Sequence, residues 1–392
     1  RELFNQHALF YVFMRPSFMT DLVPASNSVR VKVSTVAGTT IAMDIPWETE
    51  KYNKEMDRFV PNRSVLDLRV AMADDYNTVF ENHRGQMGQV DPIFVTPETI
   101  KKYKFVKVYP SDAARKKFGL EEKENPPIYA ALYRYSGKNV LLVRQATYYP
   151  EDYKPKLYMK AYMALFEEYQ EMADVLVLDQ THNPGGSYCS DFYDLFARDG
   201  DRQTVQYCRA DRKWINDFRL NWPKEDTEGN GSWDARLLEA WSLTVEKAYD
   251  QHQLLSEAIP LFTNYAYSQK RDANWSKPML VLADELAGSC GDIFPMLIKA
   301  NKRAKIFDQN TMGLGGNVEE VGILPNSRIH IRMTRGLFFP YNEKAPPQAS
   351  DFVENNGVAP DYPYSHTISD FRGGYVDYVK AFSDKAVSEI GK

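Results

Sequence analysis

Cysteine and histidine are both scarce: the 392 residues hold three of the former, at Cys189, Cys208 and Cys290, and six of the latter. The cysteines have no metal-ligand spacing and cannot all pair, which argues against a metal centre and against a disulfide framework. No apolar run approaches the roughly 18–20 residues needed to span a membrane, so no membrane span is expected. Basic runs are also missing, and the net charge is −5, which argues against nucleic acid as a partner. The chain opens at Arg1 without a signal-type apolar segment, as a processed product or a truncated chain would. Internal repeats and low-complexity segments are absent. What remains is an ordinary globular composition, 43% hydrophobic and 26% charged, long enough for two or three domains with full cores.

Residues 28–46 alternate apolar and polar around Ala37-Gly38 and read as a β-hairpin, the end of a β domain spanning 1–49. Residues 50–126 are charged and proline-punctuated, without a clear period, and read as an irregular connection. From 127 to 392 the pattern sharpens. Ile128–Arg134 and Asn139–Arg144 form a strand pair around Ser136-Gly137. Tyr158, Tyr162, Leu165, Phe166 and Tyr169 fall at helical spacing, followed by a short buried strand over 174–179. A second helix runs through Tyr188, Phe192 and Phe196, and a longer one from about Trp233 to Leu254. A strand over 279–283, a helix through Ile293, Leu297 and Ala300, and a strand over 304–307 complete the alternation. Strands alternating with helices predict an α/β (α+β) core with parallel pairing.

Two stretches share one layout of buried strand, tight turn and helix. In the first, Leu282-Ala-Asp-Glu-Leu-Ala-Gly-Ser-Cys-Gly-Asp-Ile-Phe-Pro295, the turn lifts the Ser289 hydroxyl clear of the backbone. The amides that open the following helix point toward developing negative charge. Asp292 falls in the first turn, where a carboxylate caps the helix or favours its dipole. In the second, Leu178-Asp-Gln-Thr-His-Asn-Pro-Gly-Gly-Ser187, two adjacent glycines, Gly185 and Gly186, offer amides with no Cβ in the way, as an oxyanion hole requires. Each stretch alone also reads as a plain turn followed by a helix cap.

Together and in order, they resemble the S41 family of serine peptidases. That family has a strand ending in Asp-x-Arg-x-Asn-Pro-Gly-Gly, matched by Asp179 to Gly186 with Thr181 in place of the arginine. A serine between small residues follows, with an acidic residue three positions on, as at Ser289 and Asp292. Next come a Gly-rich loop, here Thr311 to Gly316, and a Gly-Val-x-Pro-Asp segment, here Gly357 to Asp361. The resemblance covers about Ile128 to Asp361. It implies a catalytic core of ClpP/crotonase-like architecture, preceded by the end of a PDZ-like domain. The Ser–Lys processing peptidases place a lysine where this chain has Leu314, which cannot take a proton. The Ser-Cys-Gly-Asp-x-Phe-Pro run and Phe352-Val-Glu-Asn-Asn-Gly-Val358 are instead similar to the chlamydial protease-like activity factor branch, which uses Ser, His and Glu.

On that resemblance Ser289 is the nucleophile and Glu354 orients a histidine. Gly185 or Gly186 and the Cys290 amide receive the oxyanion. The histidine has no clear counterpart: His7, His83, His252, His330 and His366 all sit in patterns that ordinary helix, loop or strand residues share. His182, inside the Asn-Pro-Gly-Gly loop, is the secondary candidate, and the preferred source is a segment upstream of Arg1. The resemblance implies a bacterial, secreted or periplasmic endopeptidase acting on protein or peptide, without a cofactor. It is compatible with zymogen processing, retention of the chain's own N-terminal fragment and a homodimer. A binding protein that keeps the fold and has lost catalysis is the alternative.

Overall fold

The structure, a computed structural model, describes residues 28–34, 40–46, 90–120, 128–149, 155–221, 235–260, 274–323, 330–342 and 347–391. Chain contacts divide it into two units, residues 1–77 and 78–392. In the first, β1 (Ser28–Ser34) and β2 (Thr40–Pro46) pair antiparallel from Ser28 opposite Pro46 to Ser34 opposite Thr40, the hairpin that their alternation predicts. The expected turn at Ala37-Gly38, and His7 and His83, lie outside the described residues.

The second unit begins its described part with α1 (Pro97–Tyr103), β3 (Val106–Lys107) and α2 (Asp112–Lys117). This order lies inside the stretch read as irregular. Its signals are local and short: Thr96 accepts from the Thr99 amide in a capping box with Pro97 at the first turn, and Ser111 accepts from the Ala114 amide. The core then runs through β4 (Ala130–Tyr135), β5 (Lys138–Arg144), α3 (Pro155–Tyr169), β6 (Val175–Asp179), α4 (Cys189–Tyr193) and β7 (Thr204–Arg209). It continues with α5 (Arg212–Asn216), α6 (Ala235–Asp250), β8 (Leu255–Ile259), β9 (Met279–Ala283), α7 (Cys290–Ala300) and β10 (Lys305–Asp308). β11 (Gly316–Ile323), β12 (His330–Pro340), β13 (Tyr362–Pro363), α8 (Ile368–Arg372) and α9 (Val376–Ser388) finish the chain.

The main sheet has the order β13-β10-β9-β6-β5-β4-β3. Its centre is parallel, from β5 through β6 and β9 to β10, whereas β4 and β3 add antiparallel at one side. β6 and β9 are buried at every position, as strands covered on both faces must be. One face packs against α3, α4 and α7 through Phe166, Phe192, Phe294 and Leu297, the other against α1 and α9 through Phe94, Tyr378 and Phe382. A second, antiparallel sheet, β11-β12-β7-β8, packs with α5 and α6 around Trp214, Phe218 and Trp241. Because β5, β6, β9 and β10 run the same way, the turns after β6 and β9 leave the sheet at one end, side by side. Crevices outside the carboxyl ends of parallel strands are where such folds place their chemistry.

Candidate active site

At the end of β6, the Asp179 carboxylate is fully buried and accepts from the Thr181 amide (2.9 Å) and hydroxyl (2.7 Å). Arg144, from the end of β5, is buried beside it. Its Nη1 donates to Asp179 (3.1 Å) and to the Thr181 carbonyl (2.6 Å). A guanidinium from the neighbouring strand therefore supplies the positive charge at the point where Thr181 stands in the family's arginine position. Asn183 shapes the next turn: its Nδ2 donates to the Gln145 carbonyl and its Oδ1 accepts from the Gly185 amide at 2.8 Å.

The turn after β9 meets this one at several points. The Gly288 amide donates to the Asn183 carbonyl at 3.0 Å. The His182 amide donates to Asp284 at 2.8 Å, and the His182 ring pairs with the same carboxylate. Pro295 lies inside α7 and has no N–H to give, so the Gly291 carbonyl four residues earlier loses its helical partner. The Gln180 Nε2 donates to that carbonyl at 2.9 Å, which ties the first turn to the start of α7. A disulfide joins Cys189, at the start of α4, to Cys290, at the start of α7. This corrects the expectation from cysteine count: Cys208 is free and buried, and the other two pair across 101 residues that the fold brings together.

Ser289 occupies the junction itself, with φ 55° and ψ −119°, a conformation that L-residues rarely adopt. Its side chain does not cap α7 and makes no hydrogen bond among the described residues. Gly185 packs directly against it: a Cβ on Gly185 (φ 101°) would stand 2.5 Å from Ser289 Cβ and 3.0 Å from the Cys290 nitrogen. Gly186 lies in a parallel bridge with Tyr148, with Tyr148 donating to the Gly185 carbonyl and Ser187 donating to Tyr148. That register turns the Gly186 N–H away from Tyr148. Among the described residues neither the Gly186 nor the Cys290 amide has an acceptor. The Gly185 amide is committed to Asn183 Oδ1, so of the two expected glycine donors only Gly186 stays open for a ligand.

Asp292, in the first turn of α7, accepts from the Gly313 (2.8 Å) and Leu314 (3.0 Å) amides, so it holds the Gly-rich loop against this helix. Burial pushes its carboxyl up to about 6, against the Thr311 hydroxyl and the Gly313, Leu314 and Ser289 backbone donors that favour the charge. The loop in turn receives Glu354. Its Oε2 accepts from the Gly316 amide at 2.7 Å and its Oε1 from the Thr334 hydroxyl at 2.6 Å, and the Asn355 amide donates to Gly313. Each Glu354 oxygen keeps a lone pair for another donor.

His182 is largely buried. Burial works against its charged form, yet the attraction and hydrogen bond from Asp284 outweigh that effect and raise its pKa above the ordinary value. It makes no hydrogen bond to Ser289 among the described residues. His366 pairs with Asp308 at the end of β10 and His252 is exposed, and neither hydrogen-bonds to Ser289 among the described residues. Among the described residues no group of three or more His, Cys, Asp or Glu side chains could hold a metal ion, and no helix is long and apolar enough to cross a membrane.

The sequence model of peptidase family S41 matches residues 151–364, more than half of the chain and both turns. The chain belongs to peptidase family S41. It is 27% identical over 253 residues to a protein of Chlamydia pneumoniae, covering 58% of this chain and 39% of that protein. Likewise, it is 27% identical over 242 residues to a protein of Chlamydia muridarum, covering 54% and 38%. The chain thus spans less than two fifths of the length of these relatives. Among solved structures, mature CPAF complexed with lactacystin superposes with a TM-score of 0.66 at 20% identity, over 100% of this chain and 73% of that one. A crystal structure of mature CPAF gives 0.60 at 20% identity, over 93% and 68%. These matches show that this S41 chain shares the CPAF fold. Arg144, Asp284, Thr334 and the Cys189–Cys290 bridge carried no sequence signal, because each acts on a partner far away in the chain.

Proposed function

We propose that this chain is the core of a serine endopeptidase that cleaves polypeptides through an acyl-enzyme on Ser289. The observation that carries the reading is the packing of Gly185 against Ser289 between two amides, of Gly186 and Cys290, that have no acceptor. The Ser289 Oγ attacks the scissile carbonyl, and the two amides receive the oxygen as it becomes negative. The serine proton passes to a histidine from outside the described residues, which Glu354 orients through its remaining lone pairs, and then to the leaving amine. Water repeats the sequence on the ester and releases the acid. A disulfide at the site fits an oxidising compartment and hence a secreted or periplasmic enzyme.

A second reading, a peptide-binding protein without catalysis, is favoured by one observation: the Ser289 hydroxyl lacks a base among the described residues. Labelling of the full-length protein with a fluorophosphonate separates the two. The peptidase reading expects an adduct on Ser289 that Ser289→Ala abolishes. An intact, folded protein with no adduct supports the binding reading.

A further inference from the structure

The Gly-rich loop places a half-buried Met312 and a largely exposed Leu314 beside the residue that precedes Ser289. A Cβ on Gly288, the residue before Ser289, would stand 3.2 Å from Met312 Sδ and 3.9 Å from Leu314 Cβ. The loop cannot drift from that place, because Met312 donates to the Ala287 carbonyl at 2.8 Å and Asp292 holds the Gly313 and Leu314 amides. Yet Leu314 is 55% exposed. Two residues on, Gly316 touches the Glu354 carboxylate. Leu314 thus presents uncovered hydrocarbon between the residue before Ser289 and the glycine that meets Glu354.

We propose that Leu314, with Met312 beside it, is the specificity-determining wall for the substrate side chain next to the scissile bond. It selects polypeptides with an aliphatic or aromatic residue there. This rests on the peptidase reading and adds the substrate class to it. An acidic or basic side chain would lose part of its hydration against this wall without a dedicated partner, since Glu354 holds Gly316 and Thr334 and its remaining lone pairs serve the histidine. The backbone of residue 314 serves Asp292, whereas its side chain serves the ligand, so the side chain can be changed without disturbing the loop.

The test uses peptidyl phosphonates that acylate-mimic at serine and differ only in the side chain beside phosphorus: leucine-, phenylalanine-, aspartate- and lysine-type. A plain fluorophosphonate without a side chain serves alongside. The expected result is faster labelling of Ser289 by the leucine and phenylalanine probes than by the charged pair. In Leu314→Glu the leucine-to-lysine rate ratio should fall about tenfold or more, and in Leu314→Ala the leucine rate should fall by a similar factor relative to the plain probe. Ratios unchanged within about twofold in both variants, on a wild type that the plain probe labels, overturn the assignment of Leu314 and leave the peptidase reading standing. Failure of the plain probe to label the wild type overturns both.

Discussion

Ser289 keeps its φ of 55° because the residues on either side give it no alternative: Gly288 is bonded to Asn183 and Gly291 closes the turn onto Gly288. The opposing wall is Gly185, and its size is a sharp test of the site. In Gly185→Ala the methyl would meet Ser289 Cβ at 2.5 Å and the Gly288 carbonyl at 2.6 Å, from a backbone at φ 101° that alanine rarely adopts. Strain and overpacking together should lower stability by about 2–5 kcal/mol, measured by urea unfolding, and abolish fluorophosphonate labelling.

A second residue-scale test concerns Asp292. Its folded pKa of about 6 lies above the ordinary carboxylate value, so the folded state binds the proton more tightly than the unfolded chain does. Stability from this group is therefore greatest below pH ~4 and is lost as pH rises through about 6, by roughly 3 kcal/mol in all. Asp292→Asn removes that dependence. The variant loses a constant amount for its weaker grip on Leu314, but the gap to wild type should narrow by about 2 kcal/mol between pH 4 and pH 7 in denaturant unfolding. A gap that stays constant with pH would contradict the burial of this carboxyl.

At the scale of elements, α4 and α7 are held together twice, by Phe192 against Phe294 (ring centroids 5.3 Å apart) and by the Cys189–Cys290 bridge. A bridge closing 101 residues restricts the unfolded chain, and its loss should cost about 4–5 kcal/mol. Thiol titration of these 392 residues, unfolded and unreduced, should find one free thiol, from Cys208, and three after reduction. Three thiols without reduction would contradict the pairing. The same scale shows why some elements were legible in the sequence and others were not. β6 and β9 announce themselves as runs of four and five apolar residues before a glycine-bearing turn, and α7 follows from its own period. The bridge and the Gln180 bond to Gly291 arise only when β6 and β9 lie side by side, although Pro295 marks in advance which carbonyl is left open. α1 carries a usable signal, Thr96 before Pro97, but its seven residues leave too little room for a period to show.

For the molecule as a whole, the alternation of strands and helices gave the α/β core, while the strand order β10-β9-β6-β5 came only from the pairing itself. That order sets two turns, 105 residues apart at Asp284 and Asp179, against each other and packs Gly185 onto Ser289. Glu354 and Thr334 reach the same place from the second sheet and the loop after it, which explains why Glu354 was visible only through the family resemblance and Thr334 not at all. The most direct test is a crystal structure of the full-length protein with a peptide boronate. The expected result is a tetrahedral adduct on the Ser289 Oγ, with one boronate oxygen about 2.7–3.1 Å from both the Gly186 and Cys290 nitrogens. A boronate on another residue, or one on Ser289 whose oxygens all face away from those two amides, would contradict the account.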